Sequence, residues 1–212
     1  MLGIQESLFD TVDAAPQAAP IVHGLGNSVR RRRLEHGAWV DLRPGWLSAA
    51  TGFFEQLSAT VPWRDEQVRM YQHTVPVPRL TAAYPADAAL PDPLLTALRD
   101  DLNHHYAAEL PERFVSAGLC LYRDGHDSVA WHGDRIGRGA YLDTLVAIVS
   151  LGSPRVLALR PRGGGPALRF TLSGGDLLVM GGSCQRTWDH AVPKRPGAGP
   201  RMSIQFRPPG VL

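Results

Sequence analysis

The sequence has little cysteine, almost no lysine and no long apolar run. Its two cysteines, Cys120 and Cys184, are too few for a disulfide framework and show no C-x-x-C spacing. No apolar run approaches the ~20 residues of a membrane-spanning helix, and residues 1–10 lack the basic start and apolar stretch of a secretory signal. These absences favour a soluble, cytoplasmic protein with no membrane partner. A chain of 212 residues suits one domain with a full core, and we expect a monomer.

Positive charge comes almost wholly from arginine, since Lys194 is the single lysine among 22 basic residues. The sign of the charge also changes along the chain, from a net −3 over residues 1–105 to a net +5 over residues 106–212. One explanation for this charge pattern is a coding preference for arginine, with the arginine side chains exposed to solvent. The other is a surface for an anionic partner, because guanidinium groups bind phosphate and carboxylate through paired hydrogen bonds. The four-arginine run at 30–33 leaves the same two alternatives open.

The hydrophobic pattern before residue 113 predicts two helices. Pro44 suits a first helical turn, and apolar residues follow it at three- and four-residue spacing until a predicted end before Pro62. Asp92 is the predicted N-cap of the second helix, with Pro93 at its first position. The Pro-rich residues 61–91 predict an ordered but irregular connection between the two helices.

After residue 113, short segments rich in Val, Leu and Ile alternate with Gly and Pro turns. Such segments, closely spaced and without helical stripes, indicate an antiparallel sandwich or barrel. The predicted fold class is therefore α+β and mainly β: a double-stranded β-helix, or jelly roll, with the N-terminal helices packed on one sheet. We expect a loosely packed arm over 1–28 and one domain over 29–212, with its β core at 113–212. The predicted strands cover residues 36–42, 118–123, 130–134, 144–151, 155–160, 167–172, 176–180 and 200–207.

His132 and Asp134 form an H-x-D pair. In a strand, both side chains would face the same side, where they could bind one metal ion. His190 lies 56 residues beyond Asp134 and could supply a third ligand. Two histidines and one carboxylate form the facial triad of non-haem Fe(II) oxygenases, which leaves coordination positions open. The alternative is a surface histidine near an aspartate, because an H-x-D pair alone is common by chance.

Residues 201–207 alternate strictly between polar and apolar side chains, with Arg201 and Arg207 at the two ends of the polar face. One interpretation is a half-exposed strand with surface arginines. The other turns the polar face inward, where two buried arginines need anionic partners. Their Cα atoms would be ~20 Å apart. The space between the two guanidinium groups would then hold about a five-carbon diacid.

These motifs together resemble the AlkB family of Fe(II)/2-oxoglutarate-dependent dioxygenases, which repair alkylated nucleic acid bases. The resemblance rests on the order and spacing of motifs between about residue 61 and residue 207. They are Val61-Pro62-Trp63-Arg64, Pro78-Arg79, Tyr84, Tyr122-Arg123-Asp124-Gly125-His126-Asp127, His132-Gly133-Asp134, Gly175-Asp176-Leu177-Leu178-Val179-Met180-Gly181-Gly182, His190 and the strand with Arg201 and Arg207. The chain departs from the family pattern where Asn is common at the position of Cys120, and where Asn and Thr are usual at Ser203 and Gln205. These departures remove amide contacts to the co-substrate.

The resemblance implies a metal site and a co-substrate site. Fe(II) would be bound by His132, Asp134 and His190, with Asp134 as the catalytic carboxylate. Arg201 would pair with the distal carboxylate of 2-oxoglutarate, and Arg207 would lie toward the end that chelates iron. Tyr122 and Ser203 would complete the group of residues that bind 2-oxoglutarate.

The resemblance also implies a nucleotide-recognition lid within residues 29–112. Met70, Tyr71 and Tyr84 would form the wall against which a flipped base stacks. Arg135, directly after the metal motif, would contact phosphate. The alternative is that these aromatic residues belong to the core or to a surface loop.

The implied function is oxidative demethylation of N-alkylated bases of the 1-methyladenine and 3-methylcytosine type in DNA, with RNA left open. Fe(II) would be the cofactor, 2-oxoglutarate and O2 the co-substrates, and succinate, CO2 and formaldehyde the products. One alternative is an Fe(II)/2-oxoglutarate hydroxylase of a protein side chain or small metabolite, because a fold does not fix a substrate. The other is a non-catalytic jelly-roll binding module.

Overall fold

A computed structural model describes residues 18–70, 73–110, 112–133 and 137–211, with the side chains of 68–70 and 73–75 left undescribed. The strands are β1 Ile21–Val22, β2 Arg30–Arg33, β3 Ala38–Arg43, β4 Leu47–Ser48, β5 Gln67–Met70, β6 His73–Pro76, β7 Leu80–Tyr84, β8 Ser116–Tyr122, β9 Val129–His132, β10 Val146–Gly152, β11 Arg155–Pro161, β12 Leu168–Leu172, β13 Leu177–Gly182, β14 Trp188–Val192 and β15 Arg201–Arg207. The α-helices are α1 Thr51–Thr60, α2 Pro93–His105 and α3 Cys184–Thr187. Short 3-10 turns lie at Gly26–Ser28, Glu35–Gly37 and Arg138–Ala140.

Two antiparallel sheets form the body of the structure. The larger has seven strands in the order β2-β3-β13-β10-β15-β8-β7, and the smaller has four in the order β12-β11-β14-β9. The short pairs β1-β4 and β5-β6 complete the described strands. The prediction of a mainly β, antiparallel fold with few helices is thus confirmed.

Helices α1 and α2 cover one face of the seven-stranded sheet, and the smaller sheet faces the other. Leu57 of α1 and Leu98 of α2 share one buried cluster with Ile204 of β15. Leu159 of β11 and Leu178 of β13 belong to a second cluster between the two sheets. The alternation of β15 follows from this arrangement, because its apolar residues face the helices and its polar residues face the smaller sheet.

The second helix follows its predicted signals. The Oδ1 atom of Asp92 accepts a hydrogen bond from the backbone N–H of Leu94 at 2.8 Å, and Pro93 occupies the first turn. Leu95, Leu98 and Leu102 of its apolar stripe are fully buried.

The predicted start of the first helix, at Pro44, is wrong. The helix begins at Thr51 and ends at Thr60, before Pro62 as expected. The preceding residues Leu47–Ser48 pair with Ile21–Val22 instead, and the backbone N–H of Leu47 donates to the Gly175 carbonyl oxygen. These sheet contacts use the backbone N–H and C=O groups that would otherwise form the hydrogen bonds of a helix.

Two further segments differ from the predicted pattern. Residues 61–91 contain three strands rather than an irregular connection, and one of them, β7, pairs with β8 in the large sheet. Strand β14 at Trp188–Val192 was not predicted. Within the predicted loose arm, Leu25 is buried.

No helix of the described residues is long and apolar enough to cross a membrane.

Candidate active site

A cavity of about 90 Å³ lies between the two sheets. The polar face of β15 forms one wall, and β9 and β14 of the smaller sheet form the opposite wall. Six of the predicted site residues line it: Tyr122, His132, His190, Arg201, Ser203 and Arg207. Residues that are far apart in sequence thus meet in one enclosed space.

Two histidine side chains lie side by side in this cavity. His132 and His190 are register partners on β9 and β14, and their ring centroids are 4.2 Å apart. A bulge in the β9-β14 pairing lies directly beside this contact, and bulges of this kind re-aim side chains near active sites. The Nδ1 atom of His132 is 2.9 Å from the Ala130 carbonyl oxygen. Because a carbonyl can only accept, Nδ1 donates in this contact, and Nε2 is the ring nitrogen left to bind a ligand.

The electrostatic environment keeps His190 neutral. Desolvation is the largest cause, and the nearby His132 and Arg207 add to it, so that the pKa of His190 is lowered to about 3. At neutral pH the imidazole is therefore unprotonated, which is the form that binds a metal.

Arg201 places a positive charge in the opposite, deep part of the cavity. It is 1% exposed, its guanidinium carbon lies 5.1 Å from the ring centroid of Tyr122, and its Nε donates to Ser150 Oγ at 3.2 Å. Desolvation lowers the pKa of Arg201 below its usual value. Its Nη1 atom is buried and has no hydrogen-bond partner within the described part of the chain. A buried donor of this kind is costly unless an acceptor fills the cavity.

Arg207 and Gln205 shape the other end of β15. The Nε of Arg207 is a second buried donor with no partner among the described residues. Gln205 donates from Nε2 to the backbone oxygen and the hydroxyl of Ser203. Gly118 leaves room for both side chains, since a Cβ there would lie 2.7 Å from Nη1 of Arg207 and 3.1 Å from Oε1 of Gln205.

Tyr122 lies between two arginines on the cavity wall. Its side chain is buried, and desolvation is the main cause that raises its pKa. The guanidinium carbon of Arg155 lies 5.6 Å from the Tyr122 ring centroid, in addition to the Arg201 contact. The phenol is therefore held neutral, and its hydroxyl can donate a hydrogen bond.

A larger cleft, of about 670 Å³, adjoins the cavity at His132. Four residues, Arg79, Val129, His132 and Val192, border both spaces. Arg169 and Lys194 are further basic residues of the cleft, and none of its described lining residues is acidic. Trp131 stands on its wall, where the Arg160 guanidinium lies 4.3 Å from the ring centroid. The cleft thus offers apolar, aromatic and cationic contacts beside the histidine pair.

Several predicted residues lie outside the described part of the chain. Asp134, Arg135 and Tyr71 are among them, and of Met70 only the backbone is described. The described residues alone hold no group of three His, Cys, Asp or Glu side chains suited to a metal ion. The carboxylate ligand therefore stays a prediction.

The placement of Tyr84 corrects the predicted base-stacking wall. Tyr84 is the register partner of Ala117, and both contact the core cluster on the helix-covered face. Its side chain is thus on the opposite face of the sheet from Tyr122 and borders neither the cavity nor the cleft. Alternation along β8 and β7 explains the difference, because residues one position apart face opposite sides.

The two spaces are also bordered by polar residues that were not predicted as site residues, among them Arg79, Gln205, Arg169 and Lys194. Arg79 and Gln205 carried a signal in the sequence, since one belongs to the Pro78-Arg79 motif and the other to the polar face of 201–207. Arg169 and Lys194 carried none beyond their charge, because only the folded sheet brings them together.

The donor set fits Fe(II) and 2-oxoglutarate. The imidazoles of His132 and His190 supply two ligands of a facial triad, and the unpartnered donors of Arg201 and Arg207 suit the two carboxylates of a short diacid. The profile of the 2OG-Fe(II) oxygenase superfamily matches residues 41–207. The chain belongs to this superfamily, whose members use Fe(II), 2-oxoglutarate and O2.

Within the superfamily, the predicted resemblance to AlkB proteins is confirmed. The alpha-ketoglutarate-dependent dioxygenase alkB homolog 3 of Bos taurus is 31% identical, and the match covers 79% of this chain and 65% of that protein. The human homolog is 30% identical with the same coverage. The DNA oxidative demethylase ALKBH2 of Arabidopsis thaliana is 31% identical over 73% of this chain and 60% of its own length. The chain thus matches slightly less than two thirds of each of these relatives.

Solved structures share the fold. OsALKBH1 superposes with a TM-score of 0.59 at 13% identity, covering 84% of this chain and all of that one. A 2OG-Fe(II) oxygenase family oxidoreductase from Burkholderia pseudomallei gives a TM-score of 0.56 at 11% identity, covering 79% of this chain and 84% of that one.

Proposed function

We propose that this protein is an oxidative demethylase of N-alkylated nucleic acid bases, of the 1-methyladenine and 3-methylcytosine type. The observation that carries the proposal is the cavity between the sheets, which has two adjacent histidines at one side and a buried arginine with an open donor at the other. A cleft with basic lining residues continues from His132 to the surface. We assign the two facing sheets to a double-stranded β-helix, the predicted jelly roll.

The arginines would bind and orient 2-oxoglutarate. Arg201 is assigned the distal carboxylate, because its guanidinium is buried deepest and its Nη1 has no other acceptor in the described structure. The Tyr122 hydroxyl and Ser203 complete the polar wall at that end. Arg207 would meet the other end of the diacid, beside His190, whose pKa it helps to lower. This arrangement would give the diacid one direction in the cavity.

The histidines would hold Fe(II), with Asp134 as the predicted third ligand. The Ala130 carbonyl fixes the His132 tautomer, so that Nε2 is available for the metal. Bound Fe(II), together with O2 and 2-oxoglutarate, supplies the oxidising power that hydroxylates an N-methyl carbon. The substrate then loses formaldehyde, and 2-oxoglutarate ends as succinate and CO2.

The adjoining cleft would receive the nucleotide. Its volume of about 670 Å³ lies within the usual range of ligand pockets, and His132 forms the border through which a methyl group would reach the metal. Trp131 offers an aromatic face, and Arg169 and Lys194 offer cations for phosphate. An uncharged metabolite would make no use of this cationic lining.

The test is incubation of the protein with Fe(II), 2-oxoglutarate and an oligonucleotide that carries one 1-methyladenine or 3-methylcytosine, analysed by mass spectrometry. We expect loss of one methyl mass, and no loss without 2-oxoglutarate. His132→Ala should abolish it, whereas His104→Ala, an exposed histidine of α2, should not. Succinate formed without change in any methylated DNA or RNA would instead favour a protein or metabolite hydroxylase. No succinate and no binding of 2-oxoglutarate would favour the non-catalytic module.

A further inference from the structure

The wall of the cavity also holds a cysteine for which the proposed reaction has no use. Cys120 of β8 lines the cavity, and its side chain is half-buried. It is the register partner of Ser203 on β15 and stands two residues before Tyr122, so that the side chains of Cys120 and Tyr122 face the same side of the sheet. Its Sγ atom lies 3.9 Å from Oε1 of Gln205. The thiol is thus part of the surface that 2-oxoglutarate would touch.

The surroundings of this thiol are cationic. Arg79, Arg201 and Arg207 line the same cavity, and none of its described lining residues is acidic. Desolvation lowers the pKa of Arg201, and negative charge on Tyr122 or Cys120 acts in the opposite direction, so the thiol is close enough for the two charges to interact. Reactive cysteines are typically partly exposed and lie near positive charge, because the thiolate is the nucleophile.

The cavity shows independently of the cysteine that it receives a ligand. Arg201 is 1% exposed, and its Nη1 is a buried donor with no partner in the described part of the chain. Buried donors are rarely left unpaired, so an acceptor from outside the chain is expected beside this one. Cys120 therefore stands in a ligand site rather than on an unassigned surface.

The other cysteine of the chain has different surroundings. Cys184 of α3 is 2% exposed and belongs to the buried cluster between the two sheets. It is not among the described residues that border the cavity or the cleft. Cysteines buried in apolar surroundings are unreactive, which makes Cys184 an internal reference for Cys120.

We propose that Cys120 is an oxidation site, at which hydrogen peroxide converts the thiol to a sulfenic acid and thereby blocks the binding of 2-oxoglutarate. This inference rests on the proposed place of 2-oxoglutarate in the cavity and not on the nucleic-acid substrate. The sulfur attacks one oxygen of the peroxide, so that an S–O bond forms and the O–O bond breaks. The departing hydroxide takes up the thiol proton and leaves as water. The sulfur is oxidised by two electrons, and the peroxide is reduced by the same two.

The size and charge of the cavity explain both the reagent and the block. Hydrogen peroxide has two heavy atoms and fits a cavity of about 90 Å³, whereas a peptide disulfide does not. The added oxygen would occupy space beside Gln205 that the diacid needs. It is also an acceptor, so it would compete with the carboxylate of 2-oxoglutarate for the open donor of Arg201.

The experiment treats the full chain with hydrogen peroxide and traps sulfenic acid with dimedone. A chelator is present, so that iron-generated radicals play no part. We expect mass spectrometry to find the dimedone adduct on Cys120 and not on Cys184. The competing ligand is N-oxalylglycine, an analogue of 2-oxoglutarate, because 2-oxo acids themselves react with peroxide. At ten times its Kd, measured under the same conditions, labelling of Cys120 should slow about tenfold, since about a tenth of the protein is then unoccupied. Sodium chloride at the same ionic strength is the control.

A second measurement follows activity after catalase has removed the peroxide. Succinate formation without nucleic acid should fall in proportion to the oxidised fraction of Cys120, and dithiothreitol should restore it. Cys120→Ser and Cys120→Ala should each keep their own untreated rate after the same treatment. Cys184→Ala is the matched control and should lose activity as the wild type does.

Three results would overturn the oxidation site: no adduct on Cys120, equal labelling with and without N-oxalylglycine, or equal loss of activity in the Cys120 variants. Untreated wild type that binds no N-oxalylglycine would overturn the proposed co-substrate site as well. The nucleic-acid substrate is tested separately by demethylation of oligonucleotides, and its failure would leave the expected labelling of Cys120 unchanged.

Discussion

At the level of single residues, the site depends on polar and charged groups whose burial costs free energy. Arg201 and Tyr122 lie in the same wall with almost no exposure, and Arg201 keeps a donor without a partner in the described structure. Isolated buried charges destabilise a fold. A cavity that holds one therefore indicates a ligand of opposite charge, and the superfamily to which the chain belongs uses such a ligand, 2-oxoglutarate.

Replacing Arg201 by Lys tests this assignment. Lysine keeps the positive charge but loses the planar pair of donors that matches a carboxylate. The lost charge-assisted hydrogen bonds should weaken binding of 2-oxoglutarate by about 2 kcal/mol. We therefore expect the KM for 2-oxoglutarate to rise about thirtyfold. The measurement is succinate formation as a function of 2-oxoglutarate concentration. Arg33→Lys, on the exposed strand β2, is the control, and an unchanged KM in Arg201→Lys would refute the carboxylate assignment.

At the scale of elements, the segment that leads into β9 is fixed by two arginines. Arg155 donates to the backbone oxygens of Asp124 and Asp127 at 2.9 and 2.7 Å, and to that of Pro193 at 3.1 Å. It thus joins the segment before His132 to the one that follows β14. Arg123 adds a paired contact to the Asp127 carboxylate, at 2.9 and 3.0 Å.

Asp127 gives this segment a predictable pH dependence. Burial by itself would raise the pKa of Asp127, but the hydrogen bonds from Arg123 outweigh it and the pKa lies below its usual value. The ionised carboxylate therefore stabilises the fold above the unfolded-state pKa of about 3.9, and this contribution is lost as the pH falls through the folded-state pKa.

We expect Asp127→Asn to lower the free energy of unfolding at pH 7 by about 1–3 kcal/mol, with a smaller difference from wild type at pH 3. Urea denaturation at the two pH values measures both quantities. Asp65→Asn is the matched control, because Asp65 is 62% exposed and 4.0 Å from the same guanidinium, where an ion pair contributes little. A difference independent of pH would show that the carboxylate charge plays no part.

The elements also show how far the sequence determines the site. The alternation of 201–207 predicted a strand with one polar and one apolar face, because side chains alternate along a strand, but it left open whether the polar face points inward. The Asp92–Pro93 signal predicted α2 for a similarly local reason. Strand β14, which carries His190, was missed because Trp188–Val192 is short and follows a helical turn. The start of α1 was wrong because pairing with β1 overrides a local helical pattern, and the placement of Tyr84 depended on a register that only the folded sheet defines.

At the scale of the whole molecule, charge is distributed unevenly. Residues 150–212 carry nine basic residues and two acidic ones, and Arg169 and Lys194 from this part border the cleft. Other arginines are used internally: Arg31 of the four-arginine run pairs with Asp41 and Glu109. The count of arginines in the sequence therefore overstates the number that can meet phosphate.

A nucleic-acid substrate makes the reaction sensitive to salt. Because phosphate binding releases counterions, kcat/KM for a methylated oligonucleotide should fall about tenfold or more over a fourfold rise in salt concentration. Succinate formation without nucleic acid should change much less over the same range. Equal dependence of the two rates on salt would contradict binding of a phosphate backbone by the cleft.

The proposed function requires that one cavity couple the consumption of 2-oxoglutarate to the removal of a methyl group. The most direct measurement follows succinate and formaldehyde together during reaction with an oligonucleotide whose N-methyl carbon is isotopically labelled. Labelled formaldehyde and succinate should appear in equal amounts with the wild type, and His190→Ala should yield neither. Labelled formaldehyde from His190→Ala at the wild-type rate, or wild-type succinate with the label still on the base, would contradict the proposed function.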